Sequence, residues 1–567
     1  MEISSKTKLF FVALTSVFLT TCSPNGDAPV YDIIITDGLI YDGSGGEPYV
    51  GDVALNDGFI AVVGDVGMAV AHKHIDATGL AVAPGFINML SWGTETLIED
   101  GRSMGDIKQG VTLEIFGEGW SQGPLSEETA KLRQESQGEI KYDITWRSFG
   151  GYLDFLVEKG VSPNVASFVG ATTVRINTIG FENRPPTTDE LLDMQNQVRI
   201  AMEEGAMGVG SSLIYAPAFY ATTDELIALN KVVSEYNGMY ISHMRSEGNR
   251  LLEAVEELIT IAKEANVPAE IYHLKAAGEH NWHKMDEVIA RVERARAEGQ
   301  RITADMYNYI AGATGLDAAM PPWVQEGGYA QWVERLKDPE IRKKVKAEMA
   351  RNADDWESFF YAAGPDRMIL SSFKNPELRH LTGKTLSEAA KLRGTSPEDT
   401  AMDLVIEDGS RVGVIYFLMT EENMHKKIAL PWVSFGSDAG SMATEGVFLN
   451  SNPHPRAYGN FSRLLGKYVR EDGVITLAEA IKRLTSLPAQ NLSLRQRGSL
   501  LAGFYGDVVV FDPDTIADKA TFSEPHQYAI GMEHVFVNGV QVLKNGEHTG
   551  AMPGQVVRGP GWKGWEN

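Results

Sequence analysis

The chain has 567 residues, of which 43% are hydrophobic and 22% charged, and it carries a formal charge of −25. That length exceeds one minimal domain and buries a large core, and the composition excludes a disordered or fibrous protein. The acidity excludes nucleic acid as a partner, because binding phosphate requires a basic surface, and it serves solubility.

In chain order, the first element is a targeting segment. Lys6 and Lys8 precede an apolar run over 9–19, and Thr20, Thr21 and Cys22 follow it. The run is shorter than the roughly 20 residues a spanning helix needs, and it suits the apolar stretch of a signal peptide. Cys22 is the single cysteine of the chain, so no intramolecular disulfide can form. The order Leu19-Thr-Thr-Cys22 resembles a bacterial lipoprotein cleavage site, although Thr21 stands where Gly, Ala or Ser is usual. The resemblance implies a lipoprotein-type signal over 1–22 and a protein of the periplasm or outer membrane. Its membrane contact would run only through a lipid anchor at Cys22. An ordinary signal peptide or an uncleaved anchor is the alternative, and both also take the chain out of the cytoplasm. Residues 23–29 read as a polar tether rich in turn formers.

Two distant segments then read as halves of one small β domain, 30–80 and 495–567, expected to be a sandwich. Short β-branched runs at 32–41, 51–55 and 59–63 are separated by Asp-Gly turns, and similar runs recur at 506–511, 535–539 and 541–543. Between the halves, over 81–494, strands alternate with helical stretches such as 251–265 and 285–297. The predicted strands are 80–86, 111–116, 165–169, 208–212, 239–242, 269–272, 301–306 and 432–436. Eight of them satisfy a closed (β/α)8 TIM barrel. The gap between the seventh and eighth is too long for a βα loop and predicts an inserted subdomain over about 320–405.

Catalytic groups of such a barrel sit at the C-terminal ends of its strands. His243 and His273 end two consecutive predicted strands, and Asp438 ends the last. Two neutral imidazoles and a carboxylate can hold a borderline cation such as zinc and leave room for water. A single strand-end histidine would read as a structural residue, and Gly-Ser-Asp-Ala-Gly alone as a capped turn; their joint occurrence points to a metal site. His280, His283, His380, His425 and His548 lie in polar surroundings and read as surface residues.

Six ordered motifs carry a family resemblance: Ala83-Pro-Gly-Phe-Ile-Asn88, Gln109-Gly-Val-Thr112, Ser242-His-Met-Arg-Ser-Glu247, His273-Leu-Lys275, Gly436-Ser-Asp438 and His454-Pro-Arg456. Over nearly all of the chain beyond the tether it resembles the D-aminoacylases (N-acyl-D-amino-acid deacylases) of the amidohydrolase superfamily. The resemblance implies metal-dependent hydrolysis of N-acyl-D-amino acids, small-molecule substrates, with His243 and His273 as ligands and Asp438 as general base and acid. It implies that Lys275, Arg456 and a tyrosine, Tyr307, hold the substrate carboxylate, a task that suits a compact charge and a planar guanidinium. Two departures stand out. Leu90 and Trp92 occupy the positions of the His-x-His pair usual after Pro-Gly-Phe-Ile, so one of two metal positions has lost its ligands. The family's cysteine ligand is also absent, and Glu118, within about one residue of it, offers a hard oxygen instead. One zinc ion per chain, bound by Glu118, His243 and His273, is the expectation, with Glu114 as the reserve ligand. A cyclic-amide hydrolase, a peptidase for D-residues and a non-catalytic relative are the alternatives.

Overall fold

The computed structural model describes residues 28–566. The targeting segment, Cys22 and most of the tether lie outside the described residues. Among those described, no helix is long and apolar enough to cross a membrane.

Eight parallel strands form the barrel: Phe86–Asn88, Val111–Phe116, Asn164–Ser167 continued by Val169–Gly170, Gly208–Ser212, Met239–His243, Ala269–Ile271, Ile302–Met306 and Val433–Phe435. Each pairs in parallel with the next. The ring closes where Met89 N–H donates to the Phe435 carbonyl at 3.2 Å and Asp438 N–H to the Leu90 carbonyl at 2.8 Å. All eight strands are almost wholly buried, as expected of parallel strands covered on both faces. On the second strand, Leu113 and Ile115 join Ile87, Ala166, Phe168 and Ile241 in an interior core, whereas Val111 and Phe116 belong to the core beneath the helices.

The segment expected as one barrel strand over 80–86 is split in two. Ala81–Pro84 belongs to the terminal sheet and pairs antiparallel with Val508–Phe511, so the barrel starts at Phe86 and not at residue 81. Gly85 is the joint. A Cβ there would lie 2.0 Å from Thr112 Oγ1, a close approach that only glycine permits.

The terminal domain is one hydrogen-bonded sheet of nine strands drawn from both ends of the chain. Its first strand, Val30–Ile40, pairs antiparallel with Tyr49–Asn56 and, along different stretches, parallel with Val70–Asp76 and Ala81–Pro84. A bulge between Ile35 and Gly38, with Asp37 at φ 57°, bends the strand. The sheet wraps a core in which Ile33, Ile35 and Leu55 from one end of the chain meet Val508, Val510 and Phe536 from the other.

The insertion between the last two barrel strands is larger than 320–405. Ala311–Gly315, Met368–Ser372 and Gly413–Phe417 form their own antiparallel sheet, so it begins soon after Met306 and ends shortly before Val433. Ala313, Thr314, Ser371, Ser372 and Arg411 of this insertion reach the wall of the main cavity.

Candidate active site

The barrel strands deliver three potential ligands to one point. Glu118 follows the second strand, His243 is the last residue of the fifth, and His273 lies two residues past the sixth. Glu118 Oε1 is 2.9 Å from His243 Nδ1 and 2.8 Å from His273 Nε2. The two imidazole rings stand nearly perpendicular with centroids 4.5 Å apart. His273 adopts φ 36°, a left-handed conformation that strains a residue with a side chain. Asp305 Oδ1 holds that turn by accepting the His273 backbone N–H at 2.7 Å. Burial would raise the Glu118 carboxyl, yet the charges and hydrogen bonds of His273 and His243 hold it well below the usual carboxylate range.

Behind this trio stands a carboxylate that the sequence reading quoted only as part of a motif. Glu247 Oε1 is 3.0 Å from His273 Nδ1, and Oε2 is 3.5 Å from His243 Nε2. Each ring therefore turns one nitrogen toward Glu118 and the other toward Glu247. For His273, the closer of the two, this contact fixes ring orientation and makes the inward nitrogen a better ligand. Lys275 Nζ sits 2.5 Å from Glu247 Oε1 and 2.8 Å from His273 Nδ1. Its charge serves this buried cluster, so it is not a free member of the expected carboxylate clamp. Burial opposes the charge of Lys275, and Glu247 more than restores it.

Asp438 lies across the cavity on the seam that closes the barrel, with φ 49°. Its Oδ2 is 2.8 Å from Arg456 Nη1, and its Oδ1 accepts the indole N–H of Trp92 at 3.1 Å. Burial raises the Asp438 carboxyl while Arg456 works to lower it. The guanidinium of Arg456 rests 4.3 Å from the ring centre of Tyr307. The Tyr307 hydroxyl and Arg456 Nε are buried and have no hydrogen-bond partner. Burial pushes the Tyr307 hydroxyl up to about 12, so it stays a donor. His454, the first residue of the third quoted triplet, orients Arg456: its Nδ1 accepts the Arg456 backbone N–H at 3.0 Å while Nε2–H donates to the Ala311 carbonyl at 2.9 Å. Burial and then Arg456 drive His454 well below its ordinary value, in keeping with a neutral ring.

All seven residues singled out from the sequence line a single cavity of about 410 Å³. That volume accommodates a small ligand. The reserve ligand Glu114 does not join them. Its oxygens accept from Ser103 at 2.7 Å and Ser91 at 2.6 Å, on the outer side of the barrel wall. Sequence reasoning missed the roles of Glu247, Trp92 and His454. Only Glu247, four residues after a ligand, left a usable spacing signal.

Among the described residues, Glu118, His243 and His273 form a buried set of mutually close ligand atoms. Two imidazoles, one carboxylate and a second carboxylate behind both rings fit a borderline divalent cation such as zinc.

Comparison with known proteins identifies the family. The model described as "Amidohydrolase family" matches residues 73–543. A D-aminoacylase of Alcaligenes xylosoxydans xylosoxydans is 32% identical over 535 residues, 94% of this chain and 98% of that protein. The structure of an N-acyl-D-glutamate deacylase from Bordetella bronchiseptica, complexed with zinc and a phosphonate mimic of the tetrahedral intermediate, superposes with a TM-score of 0.78. It is 29% identical, over 93% of this chain and 99% of its own. A D-aminoacylase structure whose subject is a binuclear centre with one-metal activation and second-metal attenuation gives the same TM-score of 0.78, at 30% identity over 93% and 100%. A match over this much of its length makes the chain a member of the amidohydrolase family, in its D-aminoacylase branch.

Proposed function

We propose that the protein hydrolyses N-acyl-D-amino acids to a carboxylate and a free D-amino acid, using one zinc ion per chain held by Glu118, His243 and His273. The observation that carries the reading is that the Tyr307 hydroxyl and Arg456 Nε, buried donors without hydrogen-bond partners, belong to residues lining the cavity that also holds the three ligands. Buried donors without partners await an acceptor, and a substrate carboxylate supplies one.

When bound, zinc supplies Lewis acidity toward the scissile carbonyl and toward water. Asp438 takes the proton of the attacking water and returns it to the leaving nitrogen. Arg456 touches Asp438 and also offers Nε to the substrate, so one guanidinium links the base to the carboxylate end. Tyr307 completes that grip. Fixing the carboxylate at one end and the amide at the other constrains the hand at Cα, a contribution of positioning. That the hand is D rests on the names of the relatives.

Turnover of matched N-acetyl-D- and N-acetyl-L-amino acids, with metal analysis of the dialysed protein, tests the reading. Cleavage of the D series with one equivalent of zinc is expected. Equal rates on both hands, or activity without metal, would overturn it. Export as a lipoprotein through Cys22 belongs to the same proposal and rests on the sequence alone. Cys22→Ser should release or mis-process the protein, and unchanged membrane fractionation would count against the anchor.

A further inference from the structure

The indole of Trp92 occupies a place that its residue type does not explain. Its ring N–H donates to Glu118 Oε2 at 2.9 Å and to Asp438 Oδ1 at 3.1 Å. Each carboxylate has already committed its other oxygen: Glu118 Oε1 to the two imidazoles, and Asp438 Oδ2 to Arg456. The two remaining oxygens, from a ligand and from the base, therefore converge on one proton. Such a convergence of carboxylate oxygens is the environment a divalent cation takes. The indole fills it with a group that only donates and cannot ligate.

The backbone fixes the ring there. Trp92 N–H donates to the Ala439 carbonyl at 2.9 Å, next to the Ser91–Ala439 bridge that joins the first and last strands. Gly440 packs closely beside this stretch, since a Cβ there would lie 3.1 Å from Thr96 Cγ2. Leu90 offers nothing to a cation either. It is fully buried and packed against Gly436, where a Cβ would come within 2.8 Å of its own.

We propose that Trp92 is a positioning residue whose indole N–H clamps the metal ligand Glu118 and the base Asp438 together and closes the site to a second cation. By engaging Oε2 it leaves Glu118 a single oxygen, Oε1, for the metal. By engaging Oδ1 it sets the plane of the Asp438 carboxylate without placing a charge against it. This inference rests on the one-metal reading given above, and it concerns residues of this chain alone.

The test compares wild type with Trp92→Phe, which keeps an aromatic ring and removes the donor. Zinc binding is followed by equilibrium dialysis with elemental analysis up to a large excess, and the visible spectrum of the cobalt-loaded protein reports on the ligand set. Wild type should saturate at one equivalent even in large zinc excess. Trp92→Phe should bind its first equivalent about tenfold or more weakly, the usual scale for losing a partner of a ligand. Its cobalt bands should shift, and kcat should fall with little change in KM. An unshifted spectrum with wild-type affinity in Trp92→Phe would overturn the proposal. Two equivalents in wild type would do so even if the variant failed to fold. If no N-acyl amino acid is cleaved while Trp92→Phe still loosens the metal, the assigned reaction falls and the clamp stands.

Discussion

Glu114 and Glu118 stand four residues apart on one stretch of chain and meet opposite surroundings. Glu118 emerges past the end of the second strand into the barrel mouth, where His273 and His243 overcome burial and keep it charged. Glu114 belongs to the strand itself and turns away from the interior, toward Ser91, Ser103 and the buried Asp106. Burial raises Glu114, and the serine hydroxyls only partly oppose it. Burial raises Asp106 further, and Glu114 adds to the effect. A carboxylate set between two imidazoles serves as a ligand, whereas one facing hydroxyls and a second carboxyl is pushed toward its neutral form and serves as a strut. The same element thus supplies a metal site at its tip and a polar buttress along its length.

The largest effect should appear across the cavity from Glu118, at Asp438 on the seam that closes the barrel. Asp438→Asn keeps the shape and the Trp92 contact but cannot carry a proton. We expect zinc content and fold to persist while turnover drops about 10²- to 10⁴-fold. Loss of the metal together with activity would make Asp438 a member of the charged cluster and erase its separate role. Next in size is Arg456→Gln. Removing a buried charge from its partner costs roughly 2 kcal/mol or more, which is at least about thirtyfold on a free acid. The methyl ester of the same substrate, which feels only the change at the base, should lose less. Arg456 also works to lower the Asp438 carboxyl, so its loss should move the acid limb of kcat/KM toward higher pH. A limb that stays in place would show that Arg456 does not act on the base.

Glu247→Gln sharpens the comparison on the ligand side. Glu247 stands 3.0 Å from the outer nitrogen of His273 and 3.5 Å from that of His243, and the neutral amide should weaken zinc binding by about 10- to 100-fold without touching the inward atoms. An affinity equal to wild type would reduce Glu247 to a partner of Lys275. Glu114→Gln is the matched control and should leave zinc affinity unchanged.

Much of this was legible in the sequence, for identifiable reasons. Short strand-like stretches alternate with helical ones along the barrel, and the Asp-Gly turns punctuate the terminal sheet, so both domains could be read from local pattern. His243, His273 and Asp438 could be found because barrel chemistry is confined to strand ends. The split at Gly85 could not, since it depends on Thr112 pressing from the neighbouring strand. The insertion's edge strand, Ala311–Gly315, is built of small residues with one β-branched side chain and carries no strand signal. Trp92 was read as a lost ligand and not as a donor. Its partners lie 26 and 346 positions away, and an indole belongs to no ligand pattern. Lys275 was assigned to the substrate carboxylate, and nothing in its own segment reveals its contact with Glu247, 28 positions earlier.

The smallest expected effect tests the buttress. Asp106 is held above its ordinary value, so the folded protein binds that proton more tightly than the unfolded chain does. Stability from such a group is fully present below the unfolded value near 4, and it is lost as pH rises toward the folded one. Asn88 Nδ2 donates to Asp106 Oδ1 at 3.2 Å, and an asparagine at 106 keeps that acceptor while removing the titration. Melting curves at pH 5 and pH 8 should therefore show a fall in Tm for wild type that is smaller in Asp106→Asn by about a degree or two, the scale of a modest free-energy change in a chain of this size. The variant should also match wild type in zinc affinity, because the buttress and the ligand cluster face opposite sides of the wall. Parallel pH dependence in the two proteins would mean that Asp106 stays charged when buried, and the contrast between the two glutamates would lose its electrostatic basis.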